Sequence, residues 1–196
     1  LYFCSAEAKK IPEEYKEIRY NLCSIDFDPS AGTFGSRIDT LVNAEALGKS
    51  VSFPRPSYDG KYIMFTLSDY GNFSIWHKEA DLWLLDLTSG DLRKLSEVNS
   101  DDTESFHNWS SNSRWFVFSS RRGDGLYTRL YLASMDENGK ISKPFLLPQE
   151  DPETYYDRSV YSYNVPDFTS EPIKIDTRVF EKKITSKERI QVQAKK

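Results

Sequence analysis

The chain has 196 residues, of which 38% are hydrophobic and 14% aromatic, so it can bury a core and is not a disordered segment. Its formal net charge of −4 provides no basic surface, and no nucleic acid is expected as a partner. No apolar run approaches the roughly twenty residues of a membrane-crossing helix, so no membrane span is expected in this stretch.

Residues 1–45 have the pattern of the last three strands of a four-stranded unit. Leu1–Ser5 is predicted as the second strand, Arg19–Phe27 as the third and Ser36–Val42 as the fourth. The charged connection Ala6–Ile18 is expected to contain one turn of helix after Pro12, because proline is favoured at the first helical position. The strand that would precede Leu1–Ser5 is missing, so this unit is expected to be incomplete.

The two cysteines, Cys4 and Cys23, lie on neighbouring predicted strands of this unit. Two interpretations remain open. A disulfide between them would imply an oxidising compartment such as a periplasm. Alternatively, both are small buried apolar residues.

Residues 46–96 are predicted to form a complete four-stranded unit. Its first two strands lie within Ser52–Phe65, around the turn Asp59-Gly60, because glycine adopts a positive φ at low cost. The third strand is Asp81–Asp86, and after the turn Thr88–Gly90 the fourth is Leu92–Leu95.

Residues 97–148 repeat this pattern. Ser105–Phe118 aligns with Ser52–Phe65 without a gap, at an offset of 53 residues, and Asn112-Ser113 falls on Asp59-Gly60. The third strand is Arg129–Ser134, and the fourth lies between Ile141 and Leu147. Both units are therefore predicted to be four-stranded antiparallel sheets in an all-β fold.

Apolar alternation in these strands predicts which side chains are buried. The expected cores of the two units are Phe65, Leu82, Leu84, Phe118, Leu130 and Leu132. Ile63 and Phe116 are expected to pack between units. Replacing Phe65 or Phe118 by alanine is expected to cost about 3–5 kcal/mol.

The motif Pro56-Ser-Tyr-Asp-Gly-Lys-Tyr-Ile63 followed by Asp81-Leu-Trp83 resembles the TolB-like β-propeller repeat, which is related in architecture to WD repeats. The second copy, Trp109–Arg114, has Asn-Ser in place of Asp-Gly. The resemblance extends over residues 1–148 and implies a β-propeller with four-stranded antiparallel blades.

A propeller ring needs about four to eight blades, because each blade is buried by its neighbours. The chain is therefore expected to be the C-terminal portion of a larger propeller, a partial ring of two and three-quarter blades. Upstream residues are expected to cover the inner edge of Leu1–Ser5. The alternatives are Tyr161–Phe168 returning as a closing strand, or a second copy of the chain.

Residues 149–196 leave the repeat pattern. The aromatic stretch from Tyr155 to Phe168 is interpreted either as a strand that closes the ring against the first blade or as a strap across a blade edge. The end, Phe180–Lys196, is predicted to be a solvated tail. Its lysines are Lys182, Lys183, Lys187, Lys195 and Lys196, and the apolar residues that would permit a docking strand instead are Val179, Phe180, Ile184, Ile190 and Val192.

In a propeller, the loops between second and third strands share one face with the entries to the innermost strands. The segments Asp69–Glu79, Asp101–His107 and Arg121–Gly125 are therefore expected on one surface. The candidate binding residues there are Asp69, Tyr70, Phe73, Trp76, His77, His107, Arg121 and Arg122. Exposed aromatic residues beside charged ones are typical of a binding surface, and paired arginines can hold an anion, although a cap on the blade or a solvated loop would use the same residues.

Metal and catalytic sites are not predicted. His77 and His107 lie near carboxylates in this arrangement, but without metal-motif spacing. No G-x-S-x-G, P-loop, H-E-x-x-H or C-x-x-C motif occurs, so no catalytic residue and no cofactor is expected.

Two classes of function remain open. The resemblance implies a non-enzymatic module of a Gram-negative bacterial envelope protein, periplasmic or outer-membrane-associated, that docks another envelope protein or a peptide. The alternative is the propeller portion of a larger hydrolase, either a prolyl-oligopeptidase-like peptidase or a glycoside hydrolase. A carboxylate pair with perturbed pKa values in the channel would favour the enzyme.

Overall fold

The computed structural model describes residues 1–187, which form three consecutive antiparallel sheets. The first sheet contains β1 (Tyr2–Ser5), β2 (Asn21–Asp28) and β3 (Thr33–Val42). The second contains β4 (Ser50–Pro56), β5 (Tyr62–Ser68), β6 (Asp81–Asp86) and β7 (Leu92–Lys94). The third contains β8 (Glu104–Trp109), β9 (Trp115–Ser120), β10 (Arg129–Ser134) and β11 (Phe145–Leu146).

In every sheet the spatial order of the strands follows the chain. The predicted fold, a β-propeller architecture of consecutive antiparallel sheets, is confirmed for these residues, and the first sheet has three strands. Short 3₁₀ turns cover Tyr15–Glu17 and Ser74–Trp76. Two helices come after the sheets, α1 (Pro152–Arg158) and α2 (Arg178–Thr185), and no helix of the described part is long and apolar enough to cross a membrane.

The two predicted repeat turns have the same hydrogen bonds. The Ser57 amide donates to Tyr62 O over 2.8 Å, and the Ser110 amide donates to Trp115 O over the same distance. Ser57 Oγ donates to Asp59 Oδ1 over 2.6 Å, where Ser110 Oγ donates to Asn112 Oδ1 over 2.7 Å. Asparagine thus replaces aspartate because the turn needs only one acceptor oxygen.

Serine replaces glycine in the second turn at a conformational cost. Gly60 has φ +71° and Ser113 has φ +57°, a region where a side chain is disfavoured by about 1–2 kcal/mol. However, Ser113 Oγ accepts a hydrogen bond of 2.9 Å from the Asp59 amide, which connects the two turns. This contact between sheets offsets the strain.

The innermost strands of the two repeats contain equivalent bulges. The register shifts between Ser52 and Arg55 in β4 and between Ser105 and Asn108 in β8. Phe53 and Phe106 occupy these bulges at positive φ (56° and 47°), and their rings lie 4.5 Å apart. The repeated bulge therefore turns one phenylalanine from each sheet toward the other.

The core consists of two apolar layers, each between adjacent sheets. Ile63, Phe65 and Leu67 face the first sheet, where Leu22 and Val42 contact them. On the other side, Met64, Leu82 and Leu84 pack against Trp109, Phe116, Phe118 and Ala133 of the third sheet. Ile63 and Phe116 pack between sheets as predicted, but the prediction of separate cores within units is wrong, because Phe65, Leu82, Leu84 and Phe118 also lie in these two layers between sheets.

Leu130 and Leu132 were expected in the core but are only half-buried. They pair with Ser119 and Val117, on the face of the third sheet that points away from the second. Tyr131 and Ala133, the alternate residues of β10, face the second sheet instead.

The cysteines are free thiols on adjacent strands. Cys4 pairs with Leu22 and Cys23 pairs with Phe3, so their side chains alternate to opposite faces of the first sheet. Burial, with a smaller contribution from Cys23, raises the pKa of Cys4 to about 11. The Cys4 thiol is consequently protonated at neutral pH.

Residues 149–164, which we call the strap, cover the outer face of the third sheet. The Tyr163 amide donates to Thr128 O over 3.1 Å, and Ser119 Oγ donates to Tyr163 O over 2.9 Å. The stretch Tyr161–Phe168 contains no strand and contacts the third sheet, not the first. After it, α2 includes Val179, Phe180 and Ile184 as helix rather than strand, while Ile190, Val192, Lys195 and Lys196 lie outside the described residues.

Candidate binding cleft between the second and third sheets

Three loops meet at one end of the joint between the second and third sheets and enclose an open cleft of about 530 Å³. They belong to the segments that the sequence pattern assigns to one surface. The cleft, which we call the inter-sheet cleft, is lined by Lys78, Ser100, Asp101, Asp102, Arg121, Arg122, Gly123, Asp124 and Gly125.

The rim of the cleft carries a stacked tryptophan and arginine. The Arg121 guanidinium lies over the Trp76 ring, 4.4 Å from its centroid, and donates to Gly125 O. Arg121 is almost fully buried, and within residues 1–187 its Nε has no hydrogen-bond partner. Trp76 is 64% exposed, so the cation holds one face of an indole that remains open to solvent.

Phe73 stands beside this pair and is 73% exposed. It precedes the 3₁₀ turn at a left-handed φ of 52°, a strained conformation for an aromatic residue. Because the Phe73 ring is exposed to solvent, it adds nothing to the core that would offset the strain of its backbone. Such uncompensated backbone strain is typical of binding sites.

The loop that carries Phe73 and Trp76 is anchored on the side of the first sheet. Tyr70 packs against His77, with ring centroids 4.0 Å apart, and its edge contacts Tyr15 at 5.8 Å. Gly71 donates its amide to Ile18 O over 2.9 Å, and any Cβ there would lie 2.3 Å from the Tyr20 ring. The aromatic residues of the rim are therefore held on a fixed support.

A buried ion pair forms the floor of the cleft. Glu104, fully buried, accepts from Ser100 Oγ (2.6 Å), Ser120 Oγ (2.8 Å) and Arg122 (2.9 Å). Burial raises the pKa of Glu104, and the hydrogen bonds from Ser100 and the charge of Arg122 oppose this rise. Arg122 also donates to Val98 O and stacks 4.6 Å from the Tyr131 centroid, so its donors are mostly used within the protein.

Asp124 closes the opposite wall. Although burial acts to raise its pKa, amide hydrogen bonds from Tyr127 and Leu126, both 2.8 Å, lower the pKa below its usual value. Together with Asp101, Asp102 and Lys78, it gives the cleft charges of both signs. A ligand of mixed charge, such as a peptide, fits this lining better than a simple anion.

The eight predicted residues are divided between separate environments. Arg121 and Arg122 line the cleft, Trp76 is stacked on Arg121, and Phe73 is exposed on the same loop. Tyr70 and His77 support the loop, with His77 Nδ1 3.2 Å from Glu79 Oε1, while Asp69 forms an ion pair with Lys49.

His107 lies away from the cleft, between β5 and β8. Its Nε2 donates to Met64 O over 2.9 Å, and burial lowers its pKa to about 4. Its role is to join two sheets. Among residues 1–187, no three histidine, cysteine and carboxylate side chains gather as metal ligands would.

A smaller cleft of about 270 Å³ lies near the repeat turns. Four of its five charged residues form ion pairs within the protein: Lys61 lies 3.9 Å from Asp59, and Arg114 lies 2.7 Å from Glu137. The inter-sheet cleft is the better candidate because two large aromatic residues stand exposed at its edge.

The sequence pattern identified the exposed aromatic residues, but it did not indicate that Glu104 and Arg122 form a buried ion pair. One signal was present: Glu104 is the one carboxylate in the strand Glu-Ser-Phe-His-Asn-Trp, where it alternates with Phe106. A carboxylate in such a strand requires a buried partner.

Comparison with known proteins returned structural likenesses only. No family model and no curated protein sequence matches the chain. TolB from Acinetobacter baumannii overlaps 64% of this chain at 21% identity and a TM-score of 0.38, and the overlap covers 26% of that protein. A putative TolB from Agrobacterium tumefaciens overlaps 74% at 17% identity and a TM-score of 0.45, covering 44% of that protein.

The β-propeller domain of the Trilobed protease from Pyrococcus furiosus overlaps 76% of this chain at 16% identity and a TM-score of 0.41. The overlap covers 40% of that domain, so this chain spans less than half the length of each of the three. The assignment of propeller blades rests on the strand order and the repeat, and not on these partial overlaps.

Proposed function

We propose that this chain is a non-enzymatic β-propeller module whose inter-sheet cleft docks a peptide segment of a protein partner. The observation that carries the proposal is the exposed Trp76 ring, stacked on the buried Arg121 at the rim of the cleft. Tryptophan and arginine are the residues most enriched among those that dominate binding energy at protein interfaces.

The geometry supports a peptide more than a small molecule. The inter-sheet cleft is wide and open, charged and small residues line it, and the exposed Trp76 ring is stacked on Arg121 at its edge. An extended peptide would place one apolar side chain on Trp76 while its backbone and charged groups meet Lys78 and Asp102. Small-molecule sites are more enclosed and predominantly apolar.

The glycoside hydrolase alternative finds less support. It requires a carboxylate free to act as an acid or base, and among the carboxyl groups that the structure describes, the one with a raised pKa is Glu104. Its oxygens are occupied by Ser100, Ser120 and Arg122, so its pKa reflects a structural ion pair. We assign the envelope location and an envelope protein as the source of the peptide on the resemblance of the repeat motif alone.

Selection from a random peptide library displayed on phage tests the proposal. The immobilised full chain selects peptides, and their affinities are measured by fluorescence anisotropy against the full chain and two variants. Trp76→Ala is expected to weaken binding at least about 30-fold, corresponding to a residue that dominates the interface. Trp115→Ala, which removes a half-exposed tryptophan from β9, is the matched control and is expected to leave affinity unchanged.

Peptides that bind Trp76→Ala and the unaltered chain equally would contradict the proposed site. A library that yields no sequence above background would contradict the peptide class itself.

A further inference from the structure

Three arginines lie in or beside the inter-sheet cleft, and they differ in what balances their charge. Arg122 forms an ion pair of 2.9 Å with Glu104. Arg129 lies 3.9 Å from Asp124 and donates to three carbonyl groups of the strap. Among residues 1–187, no carboxylate oxygen lies within ion-pair distance of Arg121, so this cation has no counter-ion in the part of the chain that the structure describes.

The hydrogen bonding of Arg121 is incomplete as well. A guanidinium has five N–H donors, and among the described residues that of Arg121 donates to Gly125 O alone. Arg121 is only 9% exposed, and its Nε is buried without a partner within residues 1–187. A buried charge costs free energy unless it is paired and hydrogen-bonded, and the stacked Trp76 ring attracts the cation without neutralising it. An incoming negative group would therefore gain both an opposite charge and free donors.

The three carboxylates of the lining do not balance Arg121. Asp124 Oδ1 accepts from two backbone amides of its own loop, and Asp102 Oδ1 accepts from the amide of the next residue over 2.8 Å. Asp101 is exposed to solvent. Lys78, the remaining cation of the lining, forms no ion pair or side-chain hydrogen bond among residues 1–187. Two cations of the cleft are therefore open to a ligand.

We propose that the inter-sheet cleft recognises an acidic side chain of the docked peptide, whose carboxylate binds Arg121 while a neighbouring apolar side chain covers Trp76. This inference rests on the proposed peptide-docking function and adds the chemical class of the peptide. A guanidinium and a carboxylate form charge-assisted hydrogen bonds that a neutral side chain does not match. Lys78 adds a second positive charge to the same lining.

The burial of Arg121 favours a side-chain carboxylate over the C-terminal carboxylate of a peptide. Because so little of Arg121 is exposed, the group that reaches it has to stand on a narrow, flexible stem, as in aspartate and glutamate. A C-terminal carboxylate would have to bring the peptide backbone to the same buried point. The open cleft leaves room for the backbone of a continuing peptide to lie along it.

Selection from the random peptide library on phage, run in parallel on four full-length proteins, tests this assignment. On the unaltered chain, aspartate and glutamate are expected to be enriched at one position beside an apolar residue. On Arg121→Gln the apolar residue is expected to remain and the acidic preference to disappear, whereas Arg121→Lys is expected to keep part of that preference because it retains the charge. Arg93→Gln is the matched control, since Arg93 also donates to a glycine carbonyl, Gly139 O over 2.8 Å, but lies outside the lining of the cleft.

Fluorescence anisotropy with the selected peptides, synthesised with an amidated C-terminus, measures the contact directly. Replacing the acidic residue of a peptide by its amide is expected to weaken binding to the unaltered chain about tenfold, because hydrogen bonds to a charged group are lost. The same replacement is expected to leave binding to Arg121→Gln unchanged, since the two changes remove one interaction. The first of these measurements alters only the peptide, so it does not depend on the folding of any variant.

Peptides that depend on Trp76 but carry no acidic residue, or whose amide versions bind equally well, would overturn this inference and leave the docking site in place. An acidic preference that persists in Arg121→Gln would also overturn it, because another cation would then bind the carboxylate. Binding that requires a free C-terminal carboxylate would overturn the assignment to a side chain. Peptides that bind Trp76→Ala as tightly as the unaltered chain would instead contradict the proposed function itself, and the inference with it.

Discussion

The first and third sheets, at the two ends of the row, differ in how far other segments of the chain cover their outer faces. The third sheet is covered on both sides, by the second sheet through Phe116 and Phe118 and by the strap through Tyr163. Among residues 1–187, the first sheet is covered on the side of the second sheet through Leu22 and Val42, and Phe27, Phe34 and Ile38 are exposed.

The difference arises from the chain segments that adjoin each sheet. After β11 come Asp151, which caps α1 by accepting from the Thr154 amide, and Pro152 at a favoured first helical position. This helix directs Tyr156 back to Leu147 O, a hydrogen bond of 2.6 Å. No such segment lies against the β2–β3 hairpin among residues 1–187, so Phe34 and Ile38 are exposed where the apolar residues of the third sheet are covered.

The largest expected effect separates the two ends by matched phenylalanines. Phe118→Ala removes a fully buried ring in the joint of the third sheet and is expected to lower the free energy of unfolding by about 3–5 kcal/mol. Phe34→Ala removes an exposed ring and is expected to change it by less than about 0.5 kcal/mol. Urea denaturation followed by circular dichroism measures both. Equal losses would mean that the first sheet is covered in solution as completely as the third.

The repeat turns show how far sequence alone reaches. Asp59-Gly60 and Asn112-Ser113 were aligned correctly because a turn depends on its own four or five residues, and their hydrogen bonds match one for one. Leu130 and Leu132 were misplaced because alternation predicts that two faces exist but not which neighbour covers each. The side chains that face the strap and the side chains that face the neighbouring sheet both recur at every second residue, so periodicity does not distinguish the two faces.

The candidate site was predictable to a similar degree. Exposed aromatic residues in a polar loop identified Phe73 and Trp76, since no local rule accounts for them in a loop. The separation of His107 from His77 was not predictable, because it depends on the bulge at Phe106, where an extra residue changes the direction of the strand. The contact between Arg122 and Glu104 depends on the register of β8 against β9, which places Glu104 opposite Ser120.

A second, smaller effect is the loss of stability at acid pH that arises from His107, which lies between the second and third sheets. Burial lowers the folded-state pKa of His107 to about 4 from an ordinary value of 6.5, so the unfolded chain binds a proton first as the pH falls. The stability that depends on neutral His107 is complete above pH 6.5 and is lost progressively toward pH 4. From pH 7 to pH 5 the expected loss is about 2 kcal/mol.

His107→Gln is the matched control, because its amide can donate to Met64 O but does not titrate. Urea denaturation at pH 7 and pH 5 is expected to give a smaller difference for this variant than for the unaltered chain. The raised pKa of Glu104 acts in the opposite direction, favouring the folded state as the pH falls, and its effect is present in both proteins. An identical pH dependence of the two would show that His107 is accessible to protons in the folded state.

The smallest expected effect tests whether the strap is what distinguishes the third sheet. The buried Arg129 guanidinium donates to Ser159 O over 2.9 Å and to Tyr161 O, which holds the strap against β10. Arg129→Ala is expected to cost about 1.5 kcal/mol, the lower end for hydrogen bonds to a charged group, because the freed carbonyls can reach water. Arg37→Ala, on the exposed edge of the first sheet, is expected to cost almost nothing, since exposed ion pairs contribute little.

Hydrogen exchange at the Tyr163 amide gives the specific measurement: its protection should fall in Arg129→Ala and remain in Arg37→Ala. Unchanged protection would mean that the aromatic contacts of the strap hold it without the arginine.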